Sequence, residues 1–304
     1  MSSVDPVTWD RAVLAHDTAT PFHTWSFLDS YAAAAGLAFE PLMVLVGGCV
    51  VGGVPQVVRR RGPLRWVGVG APFSYGGPAV PRGEMAAVLE ALARRNRFAT
   101  VRERYEIRGV TVAELRAPRW KVRRAEAMIV PLEGRTEDEL RWAAAKKFRQ
   151  HLGHAARSGV EIGPADERDV RVLLPQWLDA RFADQGLDSP FPSTFVRRVV
   201  DDFAGRGAAR LHAARVSGET VGVQVSFDHA GRTYPWLIGS AREHDQERLQ
   251  VPTALSWHLV VEARAHGQAE VDLSGAPTLG IRAFKVAMGA VPRSHVVIER
   301  GLRS

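Results

Sequence analysis

The sequence predicts a mixed α/β protein with two domains, because of its length, its composition and a recurring order of helices and strands. The chain has 304 residues, of which 46% are hydrophobic and 24% are charged. These values are ordinary for a soluble globular protein, and the length suits two cores of about 150 residues each. Each half runs from a helix through strands to another helix and strand. The predicted domains are 1–133 and 134–304, with the last strand, about 292–304, able to pack back on the first domain.

In the first half, the segment 25–36, "WSFLDSYAAAAG", predicts a short helix that ends at a glycine. The apolar runs "PLMVLV" and "VVGGVPQVVRR" predict two strands around a Gly-Gly turn. A second helix is predicted at 84–97, and "RYEIRG" and "AEAMIVPL" are typical of strands. Cys49 lies within an apolar strand pattern, so we expect it to be a small buried residue and not a nucleophile.

The second half opens with a predicted helix at 136–159, "TEDELRWAAAKKFRQHLGHAARSG". Thr136 and Glu139 have the spacing of a capping box. An apolar stripe then follows at helical spacing, formed by Leu140, Ala144, Phe148, Leu152 and Ala155. Helices are also predicted at about 169–184 and 193–205, followed by three strands, a helix at 251–267 and the strand "AEVDLSG".

Several function classes lack their sequence signals. No apolar run reaches the roughly 18 residues of a membrane helix, and the N-terminus does not read as a signal peptide. A cytoplasmic location is the resulting expectation. The P-loop, the G-x-G-x-x-G fingerprint, H-E-x-x-H and G-x-S-x-G are all missing. His151 and His154 have no nearby carboxylate, so no metal site is predicted, and the remaining chemistry depends on positioning and electrostatics.

Positive charge is concentrated in one part of the chain. The net charge is +7, but residues 94–157 contain 17 Lys+Arg and 8 Asp+Glu, an excess of nine. An excess of this size can attract a polyanion, of which nucleic acid is the usual one. The alternative is an ordinary solvated surface, and the sequence leaves both interpretations open.

Lysine is rare in this chain, which uses arginine for most of its cations. Only four of the 40 Lys+Arg are lysine, namely Lys121, Lys146, Lys147 and Lys285. A retained lysine suggests a position that needs a compact ammonium and not a planar guanidinium. Lys285 follows a phenylalanine within the glycine-punctuated segment "VDLSGAPTLGIRAFKVAMGA".

This segment resembles the closing motif of the Fem-type aminoacyltransferases and their double GNAT-like relatives. The motif is an aspartate strand that ends in glycines, followed by Gly-[IL]-x-x-Phe-Lys and a further glycine. The matching positions are Asp272, Gly275, Gly280, Ile281, Phe284, Lys285 and Gly289. "AKKFRQHLGHAARSGVEI", "TWSFLDSYAAAAG" and "PFSYGGPAVP" resemble other signatures of the family. Two departures are Ser274, where glycine is common, and Met288, where an aromatic residue is usual.

The resemblance implies two tandem GNAT-like domains, each a mixed sheet flanked by helices. It also implies that Lys285 stabilises the oxyanion formed during acyl transfer, with Phe284 packing beside it. A structural salt bridge with Asp272 is the alternative for Lys285. The remaining expected substrate-binding residues are Tyr234, Trp236, Asp272 and Arg149, although the two aromatic residues fit a core equally well. The expected tRNA-binding residues are Lys146, Lys147, Arg149, Lys121, Arg123 and Arg124.

These expectations lead to aminoacyl transfer from tRNA to a small-molecule amine, with aminoacyl-tRNA as co-substrate and no further cofactor. The alternative enzyme is an acyl-CoA-dependent N-acyltransferase. Such enzymes carry [QR]-x-x-G-x-[GA] where a helix N-terminus holds the pyrophosphate. The corresponding stretch, "QERLQVPTALSW", has Gln246 but places Leu249 and Val251 at the glycine positions. A third possibility is an RNA-binding protein that has lost catalysis.

Overall fold

The structure, a computed structural model, describes residues 4–68, 75–96, 100–115, 117–241 and 249–301. Its chain divides into two compact units. Unit 1 comprises residues 1–126 together with 294–304, and unit 2 comprises residues 127–293. Both units combine helices with strands, which confirms the predicted mixed α/β class. Among the described helices, none combines the length and apolar content that a membrane crossing requires.

Unit 1 contains a mixed sheet and a separate hairpin. Its helices are α1 (Pro6–Leu14), α2 (Trp25–Ala34) and α3 (Met85–Arg95). Its strands are β1 (Ala38–Phe39), β2 (Leu42–Val46), β3 (Cys49–Val54), β4 (Val57–Arg61), β5 (Leu64–Val67), β6 (Thr100–Ile107), the start of β7 (Lys121–Pro131) and most of β13 (Val291–Gly301). Strands β2 and β3 form the hairpin, and β1, β4, β5, β6 and β13 are neighbours in that order. Within that order only β5 and β6 are parallel.

The core of unit 1 lies under helix α3. Met85, Leu89 and Leu92 are spaced at helical intervals and are buried, so they form one apolar stripe on α3. Trp120 joins the same cluster, and its indole Nε1 donates to the carbonyl oxygen of Leu89 at 3.0 Å. This satisfied N–H allows the ring to be buried without an unpaired donor.

The strands of unit 2 also show mixed pairing, with helices on the faces of the sheet. Its remaining strands are β8 (Glu161–Pro164), β9 (Ala209–Val216), β10 (Glu219–His229), β11 (Arg232–Ser240) and β12 (Glu270–Asp272). Its helices are α4 (Glu137–Ala143), α5 (Lys146–Arg157), α6 (Leu174–Ala183), α7 (Ser193–Gly205), α8 (Val251–Ala265) and α9 (Leu279–Ala287). The strand order is β7, β12, β11, β10, β9, β8, and the β11–β12 pair is parallel.

Two glycines show how helices approach this sheet from opposite sides. A Cβ on Gly222 of β10 would lie 2.4 Å from a methyl carbon of Val251 in α8. A Cβ on Gly239 of β11 would lie 2.8 Å from a methyl carbon of Leu174 in α6. Gly239 pairs with Val223, which neighbours Gly222, and successive strand residues face opposite sides. Helix α8 therefore covers one face and α6 the other.

The predicted helix at 136–159 is wrong as a single element, because the chain forms α4 and α5 with a break at Ala144 and Ala145. Both residues adopt extended backbone angles, with ψ of 143° and 148°. The N–H of Ala145 donates to the carbonyl oxygen of Ala287 at 2.8 Å, so a tertiary hydrogen bond replaces a helical one. The apolar stripe is nevertheless confirmed, since Leu140, Ala144, Phe148 and Ala155 are buried.

The prediction that Cys49 is buried is also wrong, because this residue is exposed. It lies at the start of β3, next to the glycine turn that joins β2 to β3. The hairpin is apolar in sequence, but the ends of its strands at Val46 and Val50 are exposed to solvent. An apolar run at a hairpin tip therefore does not by itself indicate burial.

Candidate active site

The candidate site lies where two parallel strands of unit 2 separate. Strands β11 and β12 pair only at Arg232 with Glu270 and at Thr233 with Val271. Strand β11 then continues to Ser240, whereas β12 ends at Asp272. Parallel strands have their carboxyl ends at the same edge of a sheet, and α/β proteins bind ligands in crevices at such edges. This edge of the sheet is therefore the candidate site for substrate binding.

The turn that follows β12 presents backbone carbonyls at this edge. Ser274 has a left-handed backbone with φ of 57°, and its N–H donates to Oδ1 of the buried Asp272 at 2.9 Å. The left-handed angle explains why a glycine suits this position. The hydrogen bond that the Ser274 N–H donates to Asp272 supports the same conformation for a serine. Asp272 therefore shapes the turn that carries Leu273 and Gly275.

Lys285 extends from helix α9 to this turn. The helix begins at Thr278, whose hydroxyl accepts the N–H of Ile281 at 3.2 Å. The Lys285 ammonium donates to the carbonyl oxygen of Gly275 at 2.6 Å and also to that of Leu273. An ammonium has three donors, so these two contacts leave one for a further oxygen. The carbonyls fix the position of the cation without neutralising it.

The environment of Lys285 changes its titration. Burial lowers its pKa to about 8, and the charge of Asp272 opposes that shift. The side chain therefore remains mostly cationic at pH 7, in a setting where solvent screens its charge less than at the surface. Asp272 influences Lys285 electrostatically, while the ammonium makes its hydrogen bonds to backbone carbonyls.

Phe284 anchors the helix that carries the lysine. Its ring centroid lies 5.8 Å from that of Phe148 on α5, and it packs against the buried cluster of that region. Phe148 also contacts Trp257 of α8, with 6.1 Å between ring centroids. Phe284 thus holds α9 against α5 and α8, which restricts where the neighbouring Lys285 can reach.

Tyr234 and Trp236 belong to the aromatic interior on the α7 side of the sheet. Tyr234 is almost completely buried. Trp236 makes ring contacts with Phe195 at 5.4 Å and with Phe227 at 5.2 Å, and with Phe191 at 6.2 Å. Of the two interpretations left open by the sequence, these contacts favour core aromatics.

The guanidinium of Arg149 binds the carboxyl end of helix α4. Its Nη1 donates to the carbonyl oxygens of Trp142, at 3.3 Å, and of Ala144. Its guanidinium also lies 5.0 Å from the centre of the exposed Trp142 ring. A cation at a helix C-terminus satisfies carbonyls that lack helical partners and complements the helix dipole. Arg149 therefore stabilises the break between α4 and α5.

The other expected tRNA-binding residues lie on two separate elements. Lys146 and Lys147 are exposed in the first turn of α5. In unit 1, Lys121, Arg123 and Arg124 are exposed on β7, where strand alternation places Arg124 on the face opposite the other two. Nη2 of Arg123 lies 3.5 Å from Oε1 of Glu299, but Arg102 and Arg104 share the same oxygen at 3.2 Å, so only a small part of the Arg123 charge is balanced.

A cavity that the sequence did not reveal lies at the carboxyl end of β11. Its volume is about 670 Å³. Its walls come from the end of β11 at 239–241, from the β9–β10 turn and from α6, which contributes Trp177 and Arg181. Arg215 donates to Asp169 at 2.7 Å on one side. No motif marks these residues, because they come from three separate segments, 166–184, 215–220 and 239–241, that meet only in the folded chain.

Comparisons with known proteins agree with this architecture. Residues 143–285 match the family described as acetyltransferase (GNAT) domain. A search of curated proteins finds no match. The solved structure of FemX is 13% identical and has a TM-score of 0.74, with 99% of this chain and 96% of that chain covered.

Two further solved structures share the fold. The C-terminal domain of a putative lysylphosphatidylglycerol synthetase from Agrobacterium fabrum is 12% identical with a TM-score of 0.66, covering 96% of this chain and 90% of that chain. A tandem GNAT protein from the clavulanic acid biosynthesis pathway is 16% identical and has a TM-score of 0.50. The match covers 92% of this chain and 95% of that chain. Residues 143–285 therefore resemble a GNAT acetyltransferase domain, and the chain as a whole shares the fold of FemX.

Proposed function

We propose that this protein is an aminoacyltransferase that takes an aminoacyl group from tRNA and forms an amide bond on a small-molecule amine. The observation that carries the proposal is Lys285, a half-buried cation held by two backbone carbonyls where β11 and β12 separate. The Fem-like fold supports the reaction class.

In this reaction the amine nitrogen attacks the carbonyl carbon of the aminoacyl ester. A C–N bond forms, and the electron pair of the C=O bond moves to oxygen and creates an oxyanion. The remaining donor of the Lys285 ammonium binds that oxygen, and the interaction is stronger with the oxyanion than with the neutral ester. The C–O bond to the ribose then breaks. The ribose oxygen takes the proton lost by the amine and leaves as a hydroxyl group.

The cavity beside β11 suits a polar amine. Its volume of about 670 Å³ lies within the usual range for small-molecule sites. Asp184 and Glu219 contribute carboxylates to its walls, which favour a cationic or amine-bearing ligand. Arg168 and Arg181 contribute positive charge, which favours an acceptor that also carries an anionic group.

The start of helix α8 bears on the choice between tRNA and acyl-CoA as donor. Gln250 precedes the helix with a left-handed backbone, and Pro252 occupies its first turn, so one backbone N–H is missing where a pyrophosphate would bind. Gln246 lies outside the described residues. The acyl-CoA alternative is favoured by the match of residues 143–285 to an acetyltransferase (GNAT) domain.

The decisive experiment offers both donors to the same amines. The full chain is incubated with a mixture of small amines and tRNA charged with labelled amino acids, and products are identified by mass spectrometry. We expect an amide product that disappears when the tRNA is first digested with RNase. A parallel reaction contains acetyl-CoA in place of tRNA. An acetylated product there, with none from charged tRNA, would replace the proposal with the acyl-CoA enzyme.

A further inference from the structure

A polar cluster lies between strand β9 and helix α8, on the face of the sheet that α8 covers. It consists of His212 on β9 and of His258 and Glu262 on α8, each of which offers one ligand atom, and these atoms lie within 4.8 Å of one another. His258 and Glu262 are four residues apart, so they project from the same side of the helix. His212 is buried, whereas the two helical residues are half-buried.

The contacts within the cluster bring nitrogen and oxygen donors together. Nε2 of His212 lies 3.0 Å from Oε2 of Glu262. The rings of His212 and His258 meet edge to face, with 4.7 Å between their centroids. Two imidazoles and one carboxylate are a donor set that suits divalent transition metals such as Zn²⁺.

The cluster also has buried polar atoms that the protein does not satisfy. Among the described residues, Nδ1 of His212 and Oε1 of Gln224 are buried without a hydrogen-bond partner, as is the hydroxyl of Ser226. Gln224 is the cross-strand partner of His212, so both side chains face α8. Buried polar groups without partners are uncommon and call for an ion or a water molecule that completes them.

One neighbouring charge opposes a cation, and its effect is limited. Nη1 of Arg210 lies 3.6 Å from Oε1 of Glu262, which is the oxygen that does not approach His212. The same guanidinium also donates to the carboxylate of Asp228 from its Nε at 2.8 Å. Asp228 therefore offsets much of the charge of Arg210, and Oε2 of Glu262 remains directed at His212.

We propose that His212, His258 and Glu262 bind a divalent transition-metal ion of the zinc type, which links strand β9 to helix α8. Tetrahedral bonds of about 2.1 Å place neighbouring donors about 3.4 Å apart. The three donor atoms lie within 4.8 Å of one another, so binding requires a small rotation of the half-buried His258 or Glu262 side chain. Solvent completes the coordination from the open side of the cluster. On His212, coordination through one ring nitrogen leaves the proton on the other.

The experiment uses the full chain after treatment with a chelator and dialysis, with Zn²⁺ or Co²⁺ alone as the probe. Calorimetric titration with Zn²⁺ should show one ion per chain, and Co²⁺ should give the strong visible absorption of a four-coordinate site. Bound Zn²⁺ should also raise the melting temperature, because it binds the folded state.

The variants His258→Ala and Glu262→Gln should each lower the affinity at least tenfold and remove the Co²⁺ absorption. His258→Gln serves as a second variant should His258→Ala fold poorly. His266→Ala is the matched control, since His266 lies one turn further along and is exposed. Binding that is absent, or that survives both His258 variants unchanged, would overturn the proposal and leave a water-filled polar cluster.

Discussion

The two units each contain a parallel pair of strands, and they use the end of that pair differently. In unit 1 the pairing of β5 with β6 extends to Val67 and Glu103. Glu103 is fully buried, and it accepts hydrogen bonds from Asn96 and Arg300, both at 2.8 Å, and from the Tyr105 hydroxyl at 2.7 Å. Burial, and then the charge of Glu103, raise the pKa of Tyr105, which keeps that hydroxyl protonated as a donor.

In unit 2 the corresponding pair ends at Thr233 and Val271, and the nearby charge is Lys285. Two of its donors are occupied by carbonyls and its side chain is only half-buried. The carboxylate of Glu103 is surrounded by donors that satisfy it, whereas the ammonium of Lys285 can still bind another oxygen. The comparison indicates that the Glu103 network stabilises the fold of unit 1, whereas Lys285 in unit 2 is available for chemistry.

The largest expected effect comes from removing the buried carboxylate of unit 1. Glu103→Ala should lower the free energy of unfolding by about 3–5 kcal/mol, because it leaves Arg300 and Asn96 without their buried acceptor. Chemical denaturation measures the change. Glu90→Ala is the matched control, since Glu90 forms more exposed ion pairs with Arg94 and Arg119 and should cost less than about 1 kcal/mol. Equal losses in the two variants would contradict a structural role for the Glu103 network.

Substitution of Lys285 should affect turnover more than stability. Lys285→Ala should lower kcat by roughly 10²–10³, the range for loss of one oxyanion donor. Lys285→Arg should also remain well below wild type, because a planar guanidinium cannot occupy the position of a compact ammonium between two carbonyls. Arg11→Ala, which removes an exposed cation from helix α1, is the control. Near-normal turnover by Lys285→Ala would remove the role proposed for this residue.

The pH dependence tests the same cation without a large structural change. Because its pKa is about 8, only about one ammonium in ten remains at pH 9. The ratio of wild-type to Lys285→Ala turnover should therefore fall about tenfold between pH 7 and pH 9. Taking this ratio removes the titration of the substrate amine. A ratio that stays constant over this range would show that the ammonium form is not required.

The same lowered pKa has a consequence for stability. Between pH 8 and about 10.5 the unfolded chain keeps the Lys285 proton that the folded chain releases, so the unfolded state binds more protons. The contribution of Lys285 to stability should therefore rise with pH across that window. This contribution is the unfolding free energy of wild type minus that of Lys285→Met, measured at several pH values. We expect the difference to increase with pH, and a decrease would contradict the prediction.

The sequence predicted what depends on local pattern. The mixed α/β class, the apolar stripe on α4 and α5 and the capping box at Thr136 all follow from spacing, and the structure has each of them. The break at Ala144 depends on a hydrogen bond between Ala145 and Ala287, far apart in sequence. Alanine-rich segments favour a helix, so no local pattern marked this exception.

The candidate sites were likewise predictable only where they depended on a local motif. Lys285 was identifiable from its motif, although its carbonyl partners depend on the left-handed turn at Ser274. The cluster of His212, His258 and Glu262 had only one local signal, the spacing of four residues on α8. His212 joins them through sheet pairing and helix packing, which a single sequence does not reveal.

The smallest expected effect concerns RNA, and it compares the basic surfaces of the two units. Lys146 and Lys147 are exposed at the start of α5, whereas Arg123 on β7 is partly balanced by Glu299. Each phosphate that a free cation neutralises releases counterions, so tRNA affinity should fall steeply with added salt.

Reversing Lys146 and Lys147 to Glu should weaken tRNA binding several-fold and flatten its salt dependence. Reversing Lys121 and Arg123 should do so less, because β7 lacks the positive helix N-terminus that lies beside Lys146 and Lys147. Arg149 is left unchanged, since its loss would disturb the end of α4. Filter binding of tRNA across a salt series, for both double variants and wild type, measures the difference. A flat salt response in wild type would exclude this electrostatic footprint and favour acyl-CoA as the donor.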